Sequence, residues 1–326
     1  MMLRLVSLAN NEELEVKQED LRRAKLTGVW LEVVDPTKEE LQQVAEVTGI
    51  PHDFLLLPES SNIVNLRFEP DFGVINFLVV KDVFETKRIN PFALAFAKEF
   101  LVTVAKSEDQ EIVNLAKARM DKVKVDQPSV VAFYLIDEIV SDHFTHLEKI
   151  EEIAANLEEQ VVEKTDQSLV KQILHAKSRL TSFNKILWYE RGLVFNLKKS
   201  DAVFLSAKSK SLFDTTHEYL TRQIDIVETY REILSDSINA YLSTVSNKIN
   251  FSIRALTLVT LYLTIITTIT SFPNTVATFF GISQFGETTS WIIFALLGVS
   301  ILLPSLWLWR RKWLRTTFEA LETHGT

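Results

Sequence analysis

Residues 257–278 read Thr-Leu-Val-Thr-Leu-Tyr-Leu-Thr-Ile-Ile-Thr-Thr-Ile-Thr-Ser-Phe-Pro-Asn-Thr-Val-Ala-Thr. No charge interrupts them: the uncharged run extends from Ala255 to Gly286, and a second covers Thr288 to Trp309. Each exceeds the roughly 18–20 residues that cross a bilayer as a helix. Core helices of soluble proteins are rarely so long and so free of charge. The pattern predicts two C-terminal transmembrane helices, residues 253–281 and 290–309. A short external loop, 282–289, joins them, and a basic tail, 310–326, follows.

The flanks give the orientation. Lys248 and Arg254 precede the first run, and Arg310, Arg311, Lys312 and Arg315 follow the second, while the connecting loop has no basic residue. By the positive-inside rule both termini are cytoplasmic, in a multi-pass protein of the cell membrane. Trp291 at one end and Trp307, Trp309 and Trp313 at the other fit interfacial aromatic belts.

Upstream of these runs the chain is charge-rich. The formal net charge of -8 over 326 residues argues against a nucleic-acid partner. The lack of cysteine excludes disulfides, thiolate metal sites and cysteine nucleophiles. Met1 to Asn10 has no apolar stretch long enough for a signal peptide. Residues 1–127 read as an α+β cytoplasmic domain. Asp35-Pro36-Thr37-Lys38-Glu39-Glu40 looks like a helix start before the periodic Leu41, Val44 and Val47. Ile63 to Phe68, Gly73 to Val80, Ala93 to Phe96 and Phe100 to Ala105 read as strands, with Asp71-Phe72-Gly73 as a hairpin turn.

Residues 128–252 read as long helices and a stalk. One pattern runs from Ser129 to about Lys164 and a second from Gln167 to about Lys199. A third starts near Ser206 and meets no Gly or Pro before Pro273, so one helix of about 100 Å would run from stalk into membrane. His143 and His146, three apart on the first of these helices, offer a metal pair, but spacing identifies no third ligand and they are read as part of a solvated face. The same helix's Glu148, Glu151, Glu152, Glu158, Glu159 and Glu163 are also explained by solvation. The eight glycines form no phosphate-binding turn, and no nucleophile–base pair or metal triad stands out, so no enzyme and no organic cofactor are expected.

The first apolar run carries a polar stripe. Thr257, Thr260, Thr264, Thr267, Ser271, Asn274 and Thr278 recur at alternating steps of three and four, a heptad seam written in hydroxyls and an amide. Backward in the same phase lie Ile253, Asn250, Ser246, Ser243, Asn239, Asp236, Glu232, Thr229 and Asp225. A second register, Leu220, Ile224, Val227, Leu234, Ile238, Tyr241 and Val245, offers an apolar flank. Threonines that bond back to their own helix, or that serve helix packing, are the bland alternatives. An amide at mid-membrane such as Asn274 instead calls for protein or water beside it. One helix cannot enclose a pore, so a polar lining implies a homo-oligomer with the stripe on its axis. Rings of neutral oxygen donors suit a hard cation such as Mg²⁺, in a hydrated state. Asp225, Glu232 and Asp236, with Asn239, would form a cation-attracting inner vestibule.

Tyr241-Leu242-Ser243, Ser246-Asn247, Asn250, Leu256-Thr257 and a Pro-interrupted span resemble the CorA magnesium channel family. The order of parts and the tail Arg310-Arg311-Lys312-Trp313-Leu314 are similar too. The resemblance implies a funnel-shaped homopentamer conducting divalent cations, Mg²⁺ first with Co²⁺ or Ni²⁺ as surrogates, through a pore lined by the first span. Asn250 matches the family's pore-entry Asn and Thr257 a pore-lining Thr. The outer-mouth Gly-Met-Asn corresponds to Gly281-Ile282-Ser283, beside Glu287, with Ser in place of the selecting amide. The stretch from Asn250 to Pro273 is about two turns longer than the family pattern. The family's intersubunit sensor Asp falls near Thr215, which makes Asp214 the metal-sensing candidate. A zinc-transporting relative and a non-conducting membrane-anchored sensor or scaffold are the alternative readings.

Overall fold

The computed structural model describes residues 2–8, 12–15, 21, 26–55, 64–85, 88–123, 125–163, 166–280, 291–292, 295, 298–299 and 302. The outer-mouth residues Gly281, Ile282, Ser283 and Glu287, most of the second apolar run and the basic tail lie outside the described residues. The chain divides into two units, Met1–Thr244 and Val245–Thr326.

Near-continuous apolar runs, buried on both faces at the centre, build the sheet of the first unit. Its strands are β1 (Met2–Ser7), β2 (Glu13–Glu15), β3 (Val29–Val34), β4 (Asn65–Phe68), β5 (Phe72–Val80), β6 (Ile89–Ala97) and β7 (Phe100–Ala105). Their order is β2-β1-β3-β7-β6-β5-β4, antiparallel except for the central parallel pair β3 and β7. Along β3, Leu31 and Val33 pack into one core with Val102 and Val104 of β7. Leu41 and Val44 of helix α1 (Lys38–Thr48) and Leu55 of the one-turn helix α2 (His52–Leu55) complete it. Helix α3 (Gln110–Met120) packs on the long α4 (Pro128–Glu163), and α4 packs against β5, β6 and β7. Trp30 and Glu32 alternate with the first core set. Trp30 Nε1 donates to Thr103 Oγ1 at 2.9 Å, and Glu32 takes Lys117 of α3 at 2.8 Å. Elements on both faces explain why a parallel pair sits at the centre.

The helix start at Asp35–Glu40 is a capping box: Glu40 N donates to Thr37 Oγ1 at 3.3 Å, and Thr37 N to Glu40 Oε2 at 2.7 Å. The hairpin turn is corrected. Phe72 and Gly73 already belong to β5, Phe68 pairs with Gly73, and the turn is Glu69-Pro70-Asp71, closed by Glu69 N donating to the Phe72 carbonyl at 2.9 Å. Gly73 is needed for closeness. A Cβ there would lie 3.0 Å from the Phe204 ring and 3.2 Å from those of Phe68 and Phe96.

The remaining helices are α5 (Gln167–Lys199) and α6 (Ala207–Phe280). Asp166 caps α5, accepting from Ser168 N at 3.0 Å. Phe204, in the connection from α5 to α6, sits edge-on to Phe96 at 5.4 Å and so fastens that connection to the sheet. Helix α6 is a continuous 74 residues and passes through Pro273. Among the described residues it is the one helix long and apolar enough to cross a membrane.

Candidate functional site

Helix α6 is anchored at its start by serines. Ser206, the residue before it, accepts from Ser209 N at 3.1 Å, and its own N–H donates to Ser129 Oγ at 3.3 Å, at the start of α4. Further along, Thr216 Oγ1 donates to Asp137 at 2.8 Å and Gln223 Nε2 to the Val140 carbonyl at 2.7 Å, both on α4. On the α5 side, Asn184 donates to Glu228 at 2.5 Å and Lys177 to Ser235 at 2.7 Å. Between these polar ties the apolar register is buried: Leu220, Ile224, Val227, Leu234 and Tyr241 are all within the core, with Ile238 and Val245 half-buried.

The polar register points elsewhere. Asp225, Thr229, Glu232, Asp236, Asn239, Ser243, Ser246 and Asn250 are all exposed. Three- and four-residue spacing thus separates α6 into a face used by this chain's own bundle and a face it leaves uncovered. In the second unit nearly every described side chain is exposed, on and off the stripe, so exposure does not mark a face there.

The hydroxyls of the apolar run share one geometry. Thr257, Thr260, Thr264, Thr267 and Thr278, on the stripe, each donate to the carbonyl four residues back at 2.7–2.9 Å. Thr268, Thr270 and Thr275, off the stripe, do the same at 2.8–3.0 Å. Back-bonding therefore does not distinguish the two sets. It spends the hydroxyl hydrogen and leaves oxygen lone pairs directed away from the helix. Asn274 is exposed, and its carbonyl receives Thr278.

Two sequence expectations meet a different environment. Asp214, the sensor candidate, is ion-paired with Lys198 of α5. The neighbouring His217 packs against Phe195 at 5.9 Å, and partial burial, with Lys198 and Arg191 nearby, pushes its pKa down. A cation at Asp214 would have to displace Lys198. The expectation of a solvated face at His143 and His146 is overturned: both are buried. His146 Nε2 donates to the Val80 carbonyl at 2.5 Å, and His143 stands edge-on to Phe183 at 5.5 Å. Three-residue spacing alone did not reveal this; the apolar Val140, Leu147 and Ile150 on the same helix side carried the signal. Glu148, Glu151, Glu152, Glu158 and Glu159 are exposed, as solvation requires. Among the described residues no three His, Asp or Glu side chains come together as a metal cluster. Lys198, half-exposed on α5, and Glu190, buried on the same helix, were not singled out by spacing.

The description CorA-like Mg2+ transporter protein belongs to a family model that matches residues 26–312. A cobalt/magnesium transport protein CorA from Thermotoga maritima is 27% identical over 198 residues, which is 59% of this chain and 54% of that protein. The chain thus spans about half the length of that relative. The protein of the same name from Methanocaldococcus jannaschii is 22% identical over 272 residues, covering 79% of this chain and 83% of the relative. Among solved structures, the complete CorA magnesium transporter from Methanocaldococcus jannaschii superposes with a TM-score of 0.72 at 20% identity, covering 95% of this chain and 98% of that one. The full-length CmaX protein does so at 0.67 and 16%, covering 95% and 97%. These structures share the fold: an α/β region and a long helix. Matched from β3 into the basic tail, the chain belongs to the CorA-like Mg2+ transporter family.

Proposed function

We propose that this protein is a passive, membrane-potential-driven channel for divalent cations, Mg²⁺ foremost, built as a homo-oligomer with helix α6 lining its axis. The observation that carries the reading is the division of α6: its own bundle covers the apolar register and leaves Asp225, Thr229, Glu232, Asp236 and Asn239 open. The hydroxyl stripe from Thr257 to Thr278 continues the same heptad phase in sequence. A face that one subunit leaves polar across an apolar run is a face that symmetry-related copies complete.

In this reading the second span, 290–309, braces the first, and both termini are cytoplasmic. Family resemblance favours five subunits. Back-bonded hydroxyls present acceptor oxygens, which suit the hydrogens of a hydration shell. Mg²⁺ gives up that shell reluctantly, so it passes with water attached. Asp225, Glu232 and Asp236 concentrate cations at the inner end. A divalent ion gains about 4.6 kcal/mol per 100 mV of inside-negative potential, twice the single-charge figure. At the outer mouth Gly281-Ile282-Ser283 supplies a hydroxyl where the family has an amide, and Glu287 adds a carboxylate nearby in sequence. Asp214 becomes a regulatory metal ligand only once Lys198 is displaced.

The test is uptake into proteoliposomes under an imposed inside-negative potential, with Mg²⁺, Co²⁺, Ni²⁺ and Zn²⁺ offered in turn. Mg²⁺ uptake that rises with potential and is lost in Asn250→Leu is the expected result. Uptake of Zn²⁺ alone assigns the zinc-transporting alternative. No uptake of any of the four by an intact oligomer leaves the sensor or scaffold.

A further inference from the structure

Where α4, α5 and α6 pack together, each contributes one polar side chain to a buried cluster. His143 of α4 is 1% exposed, and Glu190 of α5 and Gln223 of α6 are 0% exposed. His143 Nδ1 stands 3.6 Å from Glu190 Oε2. Both ring nitrogens, both carboxylate oxygens and Gln223 Oε1 have no hydrogen-bond partner. Gln223 is held by its donation to the Val140 carbonyl, so its amide stays beside the His143 ring. Phe183 closes the α5 side.

A lone carboxylate sealed in this way is costly, and removing it from water demands a compensating positive charge. No Lys or Arg among the described residues pairs with Glu190. The charged groups facing the pair come from α4 alone: His146, which disfavours a second charge on His143, and Asp142, which favours it. Lys81, at the end of β5, acts on Asp142. The α5 and α6 contributions, Phe183 and Gln223, are neutral. Burial raises the Glu190 pKa well above its ordinary 4.5 and lowers that of His143 to about 4. Together the pair holds a single proton across neutral pH.

We propose that His143 and Glu190 form a proton-dependent latch at the junction of the three long helices. It is closed while the pair keeps one proton, and it loosens the grip of α4 and α5 on α6 when alkaline conditions remove that proton. Its consequence for conduction rests on the function proposed above; the latch itself does not. The direction of the effect follows from counting protons. In the unfolded chain Glu190 loses its proton near 4.5 and His143 near 6.5. Above 6.5 the closed bundle therefore carries one proton more than the open chain, and closure weakens as pH rises. Between 4.5 and 6.5 the counts match and the latch contributes no slope.

The full-length protein in nanodiscs is followed by amide hydrogen exchange around residues 190 and 223, normalised for intrinsic rates, as pH rises above neutral. Local opening in wild type is expected to grow by about tenfold per pH unit, the slope of one proton, until Glu190 is ionised. Glu190→Gln, with a permanently neutral amide of the same shape, is expected to be flat over that range. Identical profiles in the two proteins overturn the proposal. Should Glu190→Gln fail to fold, infrared spectroscopy of wild type decides: a protonated-carboxyl band at neutral pH that titrates away on the alkaline side supports the latch, and its absence overturns it. A stoichiometric metal bound at these residues also overturns it, by supplying a different counter-charge. Uptake measured on the same samples separates the two claims. Loss of uptake at every pH contradicts the channel and leaves the latch intact. Uptake whose pH dependence survives Glu190→Gln contradicts the latch as its regulator.

Discussion

A threonine hydroxyl that donates to the carbonyl one turn back has used its only hydrogen, and what it offers its surroundings is an acceptor. This holds for Thr264 and Thr270 alike, bonded at 2.8 and 3.0 Å, so the two, about 120° apart around the helix, differ in direction and not in chemistry. Closeness matters in the same way at Gly73, where three phenylalanine rings from β4, β6 and the α5–α6 connection leave no room for a Cβ. Gly73→Ala must push the Phe204 ring away and is expected to cost about 1–3 kcal/mol. A thermal scan of the detergent-solubilised protein reads this as a lowered Tm, and an unchanged Tm would mean that the connection yields freely.

At the scale of the element, helix α6 carries two registers with different duties. Leu234 is 1% exposed, while Glu232, two residues earlier, is exposed. Leu234→Ala is expected to cost about 2–5 kcal/mol through the cavity it leaves. Glu232→Gln is expected to stay within about 0.5 kcal/mol, as surface substitutions do. Thermal scans of the two variants side by side test the division of faces, and equal losses would contradict it. This division was legible in the sequence because α6 has no Gly or Pro before Pro273 and its two periods do not overlap. Other elements were less legible for identifiable reasons. Strand β6 begins at Ile89, earlier than the pattern suggests. Pro91 interrupts the run, yet it is tolerated because that part of β6 pairs with β5 and not with β7. Strand β3 was obscured by Glu32, a charge in mid-strand whose burial depends on Lys117, far away in the chain. The burial of His143 was signalled by Val140 and Leu147, one turn on either side, but its neighbour Glu190 was not, because it lies on another helix. The stripe was readable, but the ion pair that occupies Asp214 was not, since Lys198 belongs to α5.

For the whole molecule, family membership and the division of α6 meet in the proposal that the face a single chain leaves uncovered is the wall of an ion path completed by its copies. The net charge of -8 and the exposed Asp225, Glu232 and Asp236 suit a cation as passenger, which in the proposed channel the membrane potential would drive. Stability and back-bonding are properties of one chain, so only a measurement of flux separates the wall from the rest of the helix. The most direct is potential-driven Mg²⁺ uptake by Thr264→Val compared with Thr270→Val in proteoliposomes. Each substitution removes one back-bonded hydroxyl, and the two positions lie about 120° apart around the helix. The account predicts that Thr264→Val lowers uptake by about tenfold, the effect of about 1.4 kcal/mol on the barrier, and that Thr270→Val leaves it close to wild type. Equal effects, or a larger loss in Thr270→Val, would contradict an ion path along the stripe.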